Sequence, residues 1–285
     1  MPDDTSMLDW VPQAVPWKNW HETVRADIKG VYNLWYPADM PPYGADTINR
    51  CTRQIQRAIA EAKARGYPAK ALGHGWSLSE AATTTGAMID IARLNAMKPL
   101  RNDQLDPAYP GSRDPNALWL IQGGAYISEI NRMIEADQWG RTIPTSGAAN
   151  GQTIVGATST GTHGSVLTSG ALHDHIVAIH LLAGPTNEYW LERASYPVLK
   201  PSLASALGAT VIRDDTIFNA VVLGLGAFGV VTDVVLETRP RMLLFARNFD
   251  RDPAGDPLRL DSPMRQAIAT LDFEAHPLLK SPPGM

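Results

Sequence analysis

The stretch Ala71-Leu72-Gly73-His74-Gly75-Trp76-Ser77 is the most informative segment of this chain. A second run of the same kind, Gly156-Ala157-Thr158-Ser159-Thr160-Gly161-Thr162-His163-Gly164-Ser165, follows later in the chain. Glycine lacks a Cβ, so its backbone N–H can approach an anion closely, and Ser and Thr add short donors without bulk. Two separate loops of this composition predict one long phosphorylated ligand that lies across both.

The spacing of the glycines argues against two common nucleotide sites. Neither loop has the pattern Gly-x-Gly-x-x-Gly at the start of a helix, and neither has Gly-x-x-x-x-Gly-Lys-Ser/Thr. These patterns place a pyrophosphate on a helix N-terminus or cradle the phosphates of ATP. The simple nicotinamide and ATP interpretations therefore lose their main support.

The composition is that of an ordinary globular protein. The chain has 285 residues, of which 44% are hydrophobic and 19% charged, and this length predicts roughly two domains. A net charge of −4 without a basic block argues against nucleic acid as a partner. The only cysteine, Cys51, excludes an internal disulfide framework and a four-cysteine metal site.

No targeting or membrane segment is evident in the sequence. The acidic start Met1-Pro2-Asp3-Asp4 is not followed by an apolar run, and no stretch approaches eighteen apolar residues. We therefore expect no signal peptide and no membrane span. The expected location is cytoplasmic, or periplasmic if a presequence has been removed.

Helical and strand patterns alternate without a regular period, and the strand patterns cluster late, which indicates an α+β fold. Apolar residues recur at helical spacing over 43–65, and a short strand over 69–72 precedes the first loop. We expect an N-terminal arm over 1–40 and a domain over 41–240, with subdomains of about 41–110 and 111–240. Residues 241–285 are rich in proline and read as the incomplete beginning of a further domain.

Four segments, in order, carry a family resemblance: Trp17-Lys18-Asn19-Trp20, the first loop continued by 83–90, Thr153 to Ser165, and the run 225–234 that begins Leu225-Gly226-Ala227-Phe228-Gly229. They resemble the FAD-binding half of the vanillyl-alcohol-oxidase-type flavoproteins, nearest the members that act on alditols, sugar lactones and sterols. The resemblance covers roughly residues 17–240. It implies a PCMH-type FAD-binding domain of two α+β subdomains with FAD between them, followed by the start of a substrate domain.

The resemblance also implies an activity. It predicts an FAD-dependent oxidoreductase that oxidises an alcohol group by hydride transfer to flavin N5, with O2 as acceptor and H2O2 as product. The alternatives are a flavin-binding subunit or fragment that needs a second chain, and a dehydrogenase that uses another acceptor. Relatives continue well past residue 285 through a substrate domain, so we expect a second polypeptide or a missing C-terminal segment. In relatives the base that accepts the hydroxyl proton lies mostly in that domain, so the catalytic base of this protein is unknown.

The cofactor-binding residues implied by the resemblance are Leu72, Gly73, His74, Gly75, Trp76, Ser77, Gly147, Thr153, Gly156, Thr160, Gly161, Thr162, His163 and Val230. Val230 is expected on the adenine side, with plain sheet core as the alternative. A small residue at Gly147, where relatives control oxygen approach, favours an oxidase, with a turn glycine as the alternative. His163 reads as a flavin contact or structural donor, with a general base as the other option.

Two histidine features admit more than one interpretation. Many relatives attach a first-loop histidine covalently to the flavin, but Trp76 occupies that position here, and His74 lies two residues earlier. His74 is therefore the candidate tether, with a phosphate donor or a loop histidine bonded to backbone as alternatives. The segment His173-Asp174-His175 suggests a metal, but no third ligand is evident, and we expect none.

Overall fold

The structure is a computed structural model that describes residues 8–35, 42–136, 138–166, 169–242 and 269–270. The chain divides into two compact units, Met1–Arg241 and Met242–Met285. Every element described below belongs to the first unit. The predicted beginning of a further domain, 241–285, lies almost wholly outside the described residues.

Helices and strands are mixed along the chain, in agreement with the predicted α+β class. The helices are α1 (Ala45–Ala64), α2 (Ile127–Ile134), α3 (Ile154–Ser159), α4 (Pro201–Ser205) and α5 (Asp215–Val222). The strands are β1 (Leu8–Pro12), β2 (Trp17–Lys18), β3 (Arg25–Ala26), β4 (Gly30–Leu34), β5 (Ala69–Leu72), β6 (Ala87–Asp90), β7 (Met97–Pro99), β8 (Leu118–Gln122), β9 (Arg141–Thr142), β10 (Ile176–Leu182), β11 (Glu188–Glu192), β12 (Thr210–Arg213), β13 (Val230–Glu237) and β14 (Arg239–Pro240).

The first sheet has the strand order β1-β4-β6-β5, in which β4, β6 and β5 run parallel and β1 is antiparallel to β4. Helix α1 packs on it through Cys51, Ile55, Ala58 and Ala62, which recur at helical spacing and are all buried. Cys51 is therefore a core residue, as expected. The first glycine loop leaves this sheet at the carboxyl end of β5.

The second sheet has the order β12-β11-β10-β13-β8-β7. All seven residues of β10 are buried, because helices and loops cover both faces of the sheet. One face carries α2, α3 and α5, whose Ile130, Ile154 and Phe218 share a core cluster with this sheet. The second glycine loop contains α3. The two glycine loops therefore come from different halves of the unit, one half for each sheet.

A buried charge cluster links the two halves. His180 on β10 is fully buried, with Nε2 2.8 Å from Glu188 Oε1 and Nδ1 3.1 Å from Asp233 Oδ2. The Tyr43 hydroxyl donates to Asp233 Oδ1 at 2.7 Å, so the residues just before α1 are held to β13. Burial by itself lowers the pKa of His180, but hydrogen bonds to the carboxylates of Asp233 and Glu188 outweigh it and raise the pKa to about 9.

This cluster predicts a pH-dependent stability. His180 binds its proton more tightly in the folded state, so its stabilisation is complete below pH 6.5 and is lost as the pH rises towards 9. We expect the free energy of unfolding to fall by about 3 kcal/mol over this range, as measured by urea denaturation at a series of pH values. In Glu188→Gln the fall should be smaller and end at lower pH, because one of the two carboxylates that raise the folded-state pKa of His180 is gone. A flat profile for the unmodified protein would show that His180 is neutral in the fold.

Candidate functional site: a cleft between the two glycine loops

A cleft of about 360 Å³ lies where the first loop, the start of α3 and the loop before β13 meet. Its walls are mostly apolar, with Ile91, Val155 and Leu181 among them. The described residues that line the cleft are 70–78, 81, 82, 91, 152, 153, 155, 156, 159, 160, 181, 221, 224–226, 228, 229 and 231. A concave, largely apolar site with a few polar groups is typical of a bound cofactor.

The polar groups of the cleft include side chains, such as those of Lys70, Gln152 and Ser159, and backbone amides of the first loop. Among the described residues, none of the amides from His74 to Leu78 donates a hydrogen bond to another group of the chain. Gly75 has φ +64°, a left-handed conformation that suits glycine, and its carbonyl accepts from the Trp20 N–H at 2.8 Å. A row of consecutive free amides is an anion-binding arrangement.

The N-terminal hairpin of β2 and β3 holds this loop in place. Asn19 is buried, and its Nδ2 donates to the Ser77 carbonyl at 3.0 Å while its Oδ1 accepts from the Val24 N–H at 2.9 Å. Trp20 stacks beside Trp76, with 6.0 Å between the ring centroids. The Trp-Lys-Asn-Trp motif therefore positions the loop, a role that the sequence pattern alone did not reveal.

His74 lies in the cleft wall and has two polar neighbours at one ring nitrogen. Its Nδ1 is 2.9 Å from the Gly151 carbonyl and 3.1 Å from the Trp76 Nε1. A protonated Nδ1 donates to the carbonyl, whereas the indole N–H needs a lone pair there, so only one of the two bonds forms at a time. The carbonyl is the closer partner and favours the Nδ1–H tautomer, which leaves the lone pair on Nε2 free.

The two loops touch at Gly73. A Cβ at this position would lie 2.4 Å from Thr153 Oγ1, which is too close for any side chain. Thr153 is the N-cap of α3 and accepts from the Gly156 N–H at 3.3 Å. The Ile154 and Val155 amides donate to the Ala125 and Gly123 carbonyls, so the first three amides of α3 all have partners. Free backbone amides of the cleft therefore belong to the first loop and to the loop before β13, where those of Gly226 and Phe228 also donate to no group of the described chain.

The structure brings most of the predicted cofactor residues together. Those that line the cleft are Leu72, Gly73, His74, Gly75, Trp76, Ser77, Thr153, Gly156 and Thr160. Their contact with a cofactor stays a prediction.

Five other predicted residues lie outside the cleft lining. The Gly161 and Thr162 amides donate to the Thr158 and Ala157 carbonyls. His163 is exposed, with Nδ1 2.8 Å from the Gly164 carbonyl. Gly147 has φ +74°, and a Cβ there would lie 2.7 Å from Thr162 Cγ2, so a turn requires this glycine. Val230 lines a neighbouring cavity of about 400 Å³.

One wall of the cleft, formed by the loop before β13, was not predicted from the sequence. The run from Gly224 to Gly229 overlaps the fourth segment of the family resemblance but is not among the predicted cofactor residues, and most of it lines the cleft. Its three glycines, two of them with positive φ, were the available signal. Lys70 was also missed, because a lysine in a short strand carries no pattern of its own.

The described residues form neither a metal-ligand group nor a membrane-spanning helix. They contain no group of three or more His, Cys, Asp or Glu side chains arranged to hold a metal ion, and His173-Asp174-His175 forms no such group. They also contain no helix that has both the length and the apolar character needed to cross a membrane.

The fold and the cleft suit a domain that binds an extended anionic cofactor. Comparison with known proteins identifies the class of domain. Residues 48–188 match the family model described as an FAD binding domain. L-Gulono-1,4-lactone dehydrogenase of Mycobacterium tuberculosis is 30% identical over 73% of this chain and 40% of its own length. D-Arabinono-1,4-lactone oxidase of Candida albicans is 25% identical over 67% of this chain and 31% of its own length.

Among solved structures, a VAO-type flavoprotein from Myceliophthora thermophila superposes with a TM-score of 0.50 at 15% identity, over 74% of this chain and 32% of the other. Residues 48–188 thus match an FAD binding domain, and the fold is that of a VAO-type flavoprotein, in line with the four sequence segments. It spans less than half the length of the two lactone enzymes that it matches.

The cleft fits FAD on two grounds. The free amides from His74 to Leu78 suit a diphosphate, which needs several donors and no bulky side chains. The apolar wall around Val155 and Leu181 suits a flat ring system.

The contact at Gly73 gives a direct test of the cleft. Gly73→Ala places a methyl group against Thr153 Oγ1, so one loop must move away from the other. In a His74→Ala background, which keeps flavin binding reversible, we expect FAD affinity to fall at least tenfold, about 1.4 kcal/mol, in equilibrium titrations. Gly44→Ala is the matched control, because its Cβ meets only ordinary contacts at 3.7 Å outside the cleft. Equal affinity in both variants would separate this contact from cofactor binding.

Proposed function

We propose that this chain is the FAD-binding part of an oxidoreductase that oxidises an alcohol group of a sugar lactone, or of a related sugar alcohol or sterol. The observation that carries the proposal is the row of free amides at the first glycine loop, which faces an apolar cleft. The two matched enzymes are named for sugar lactones, which supports the substrate class.

Each part of the cleft has a role in this proposal. The amides from His74 to Leu78 bind the diphosphate, and Asn19 holds their loop in the required shape. Val155, Leu181 and Val231 keep water from the flat ring system. Bound FAD supplies a hydride acceptor at N5, and in an oxidase O2 then takes the electrons to give H2O2.

His74 is the proposed point of covalent attachment of the flavin. It lies in the cleft wall, and the Gly151 carbonyl favours a tautomer in which Nε2 keeps its lone pair. The aromatic rings of Trp20 and Tyr126 lie 4.7 and 4.9 Å from the imidazole and limit its movement. An oriented imidazole with a free lone pair is the nucleophile that such an attachment needs.

The electron acceptor and the second wall of the active site complete the proposal. O2 is the proposed acceptor, with a dehydrogenase as the alternative, since one matched relative is named an oxidase and the other a dehydrogenase. We propose that polypeptide outside these 285 residues, either a continuation or a second chain, supplies the substrate wall and the base that accepts the hydroxyl proton. The short coverage of both relatives supports this division.

Turnover of the native protein tests the function. We expect purified material to be yellow, and anaerobic L-gulono-1,4-lactone or a sugar alcohol to bleach the flavin absorbance. Air should then restore the colour with stoichiometric H2O2. Recovery with an artificial acceptor but not with O2 would identify a dehydrogenase. The mass of the native subunit and of any associated chain shows whether a second polypeptide is present.

A colourless protein that cannot be reconstituted with FAD would contradict the proposed function at its first step. If the protein is yellow but no candidate alcohol reduces it, the isolated protein is not an active oxidoreductase, and the result favours a flavin-binding subunit.

The attachment at His74 has its own test. We expect flavin to stay with the protein after acid precipitation, and the tryptic peptide from Ala71 to Arg93 to carry the mass of FAD. His74→Ala should release all flavin on denaturation while the protein stays folded. His21→Ala is the control, since this exposed histidine lies beside Trp76 but outside the cleft lining. Free flavin from the unmodified protein would assign His74 a non-covalent role.

A further inference from the structure

Lys70 lies where two cavities meet. It lines the cleft of about 360 Å³ and also the neighbouring cavity of about 400 Å³ that contains Val230. The two cavities share Lys70, Ala71, Gly226 and Gly229 in their walls. Lys70 is the third residue before the first glycine of the loop, so its strand leads directly to the free amides.

The tip of the Lys70 side chain has two neighbours. Its Nζ donates to the Ala81 carbonyl, in the 3₁₀ turn Glu80–Ala82. A Cβ at Gly226 would lie 3.5 Å from Lys70 Cε, so the stem runs close to the loop before β13. The ammonium therefore lies beside Ala81, which lines the cleft.

The charge of Lys70 has no partner in the described part of the chain. No carboxylate there lies within 4 Å of its Nζ, and Ala81 offers only a neutral carbonyl. The side chain is partly buried, and burial lowers its pKa. Arg213, by contrast, is paired with Asp106 and Glu192. A cation that is partly removed from water without a counter-ion is unfavourable, and a bound anion would compensate it.

We propose that the Lys70 ammonium binds the diphosphate of FAD at the border of the two cavities. This inference rests on the proposed FAD binding and adds a charged side chain to the backbone amides that are proposed to bind the diphosphate. FAD carries its negative charge in the middle of the molecule, between two ring systems. A ligand of this shape that occupies both cavities carries its charge past Lys70, which lines both, while the amides from His74 to Leu78 line the cleft alone. Lysine binds phosphate as a point charge.

A purely structural role is the competing interpretation. Lys70 would then only anchor the turn Glu80–Ala82 through the Ala81 carbonyl. The two roles differ in how binding responds to salt. Removal of a phosphate contact weakens binding and reduces its salt dependence, whereas removal of an anchor lowers the melting temperature of the ligand-free protein.

The experiment compares Lys70→Met and Lys70→Arg with Lys98→Met in the full chain. Lys98 is the matched control, because it is also partly buried and donates to a backbone carbonyl, that of Tyr43, but lines neither cavity. A His74→Ala background in all variants and in the parent keeps flavin binding reversible. Calorimetric titration with FAD and with ADP, which shares the diphosphate but has no flavin ring, is carried out at two salt concentrations.

We expect Lys70→Met to weaken both ligands about 10- to 100-fold and to flatten the salt dependence, with Lys70→Arg intermediate and Lys98→Met equal to the parent. The melting temperature of ligand-free Lys70→Met should match that of Lys98→Met. Unchanged FAD and ADP affinity in Lys70→Met would overturn the inference and leave FAD binding intact. So would a loss with unchanged salt dependence and a lower melting temperature. An unmodified protein that contains no flavin and binds neither ligand would overturn the proposed function as well.

Discussion

The site depends on one close approach, that of the Gly73 backbone to the Thr153 side chain. Gly73 follows the first sheet and Thr153 caps α3 on the second, so this contact joins the two halves where the cleft forms. With no Cβ at Gly73 the loop lies flat against the cap. The N-terminal hairpin takes the loop's carbonyls, through Trp20 and Asn19, which leaves its amides available. The close contact at Gly73 and the unbonded amides of the loop thus determine where an anion can bind.

Local sequence signals predicted a large part of the fold. The helix predicted over 43–65 is α1, and the strand predicted over 69–72 is β5, because apolar spacing and the flanking glycine and proline act within a few residues. The charge cluster at His180 could not be predicted in the same way. It depends on the register that places Asp233 opposite His180 and on a hairpin that brings back Glu188, and neither is fixed by the residues around His180.

The candidate site was predicted from sequence to a similar extent. The first loop and Thr153 line the cleft because glycine-rich segments can approach each other and a ligand closely. Gly161 and Thr162 have the same composition, but a turn back onto α3 uses their amides, and composition does not show which amides are already bonded. The wall from Gly224 to Gly229 and the position of Lys70 follow from the packing of one half against the other. That packing involves segments far apart in the chain.

The place of β13 in the second sheet has a consequence for how the chain acquires its structure. β13 pairs with β10 on one side and β8 on the other, and Asp233 on it receives the Tyr43 hydroxyl from 190 residues earlier. Strands β8 and β10 are synthesised before β13 and do not pair with each other. They therefore cannot join one sheet until β13, which ends at Glu237, has left the ribosome. Contacts of such high sequence separation slow folding, since a long loop must close before any contact rewards it. During synthesis the nascent chain therefore exposes one unpaired edge of β8 and one of β10, and chaperones bind such edges.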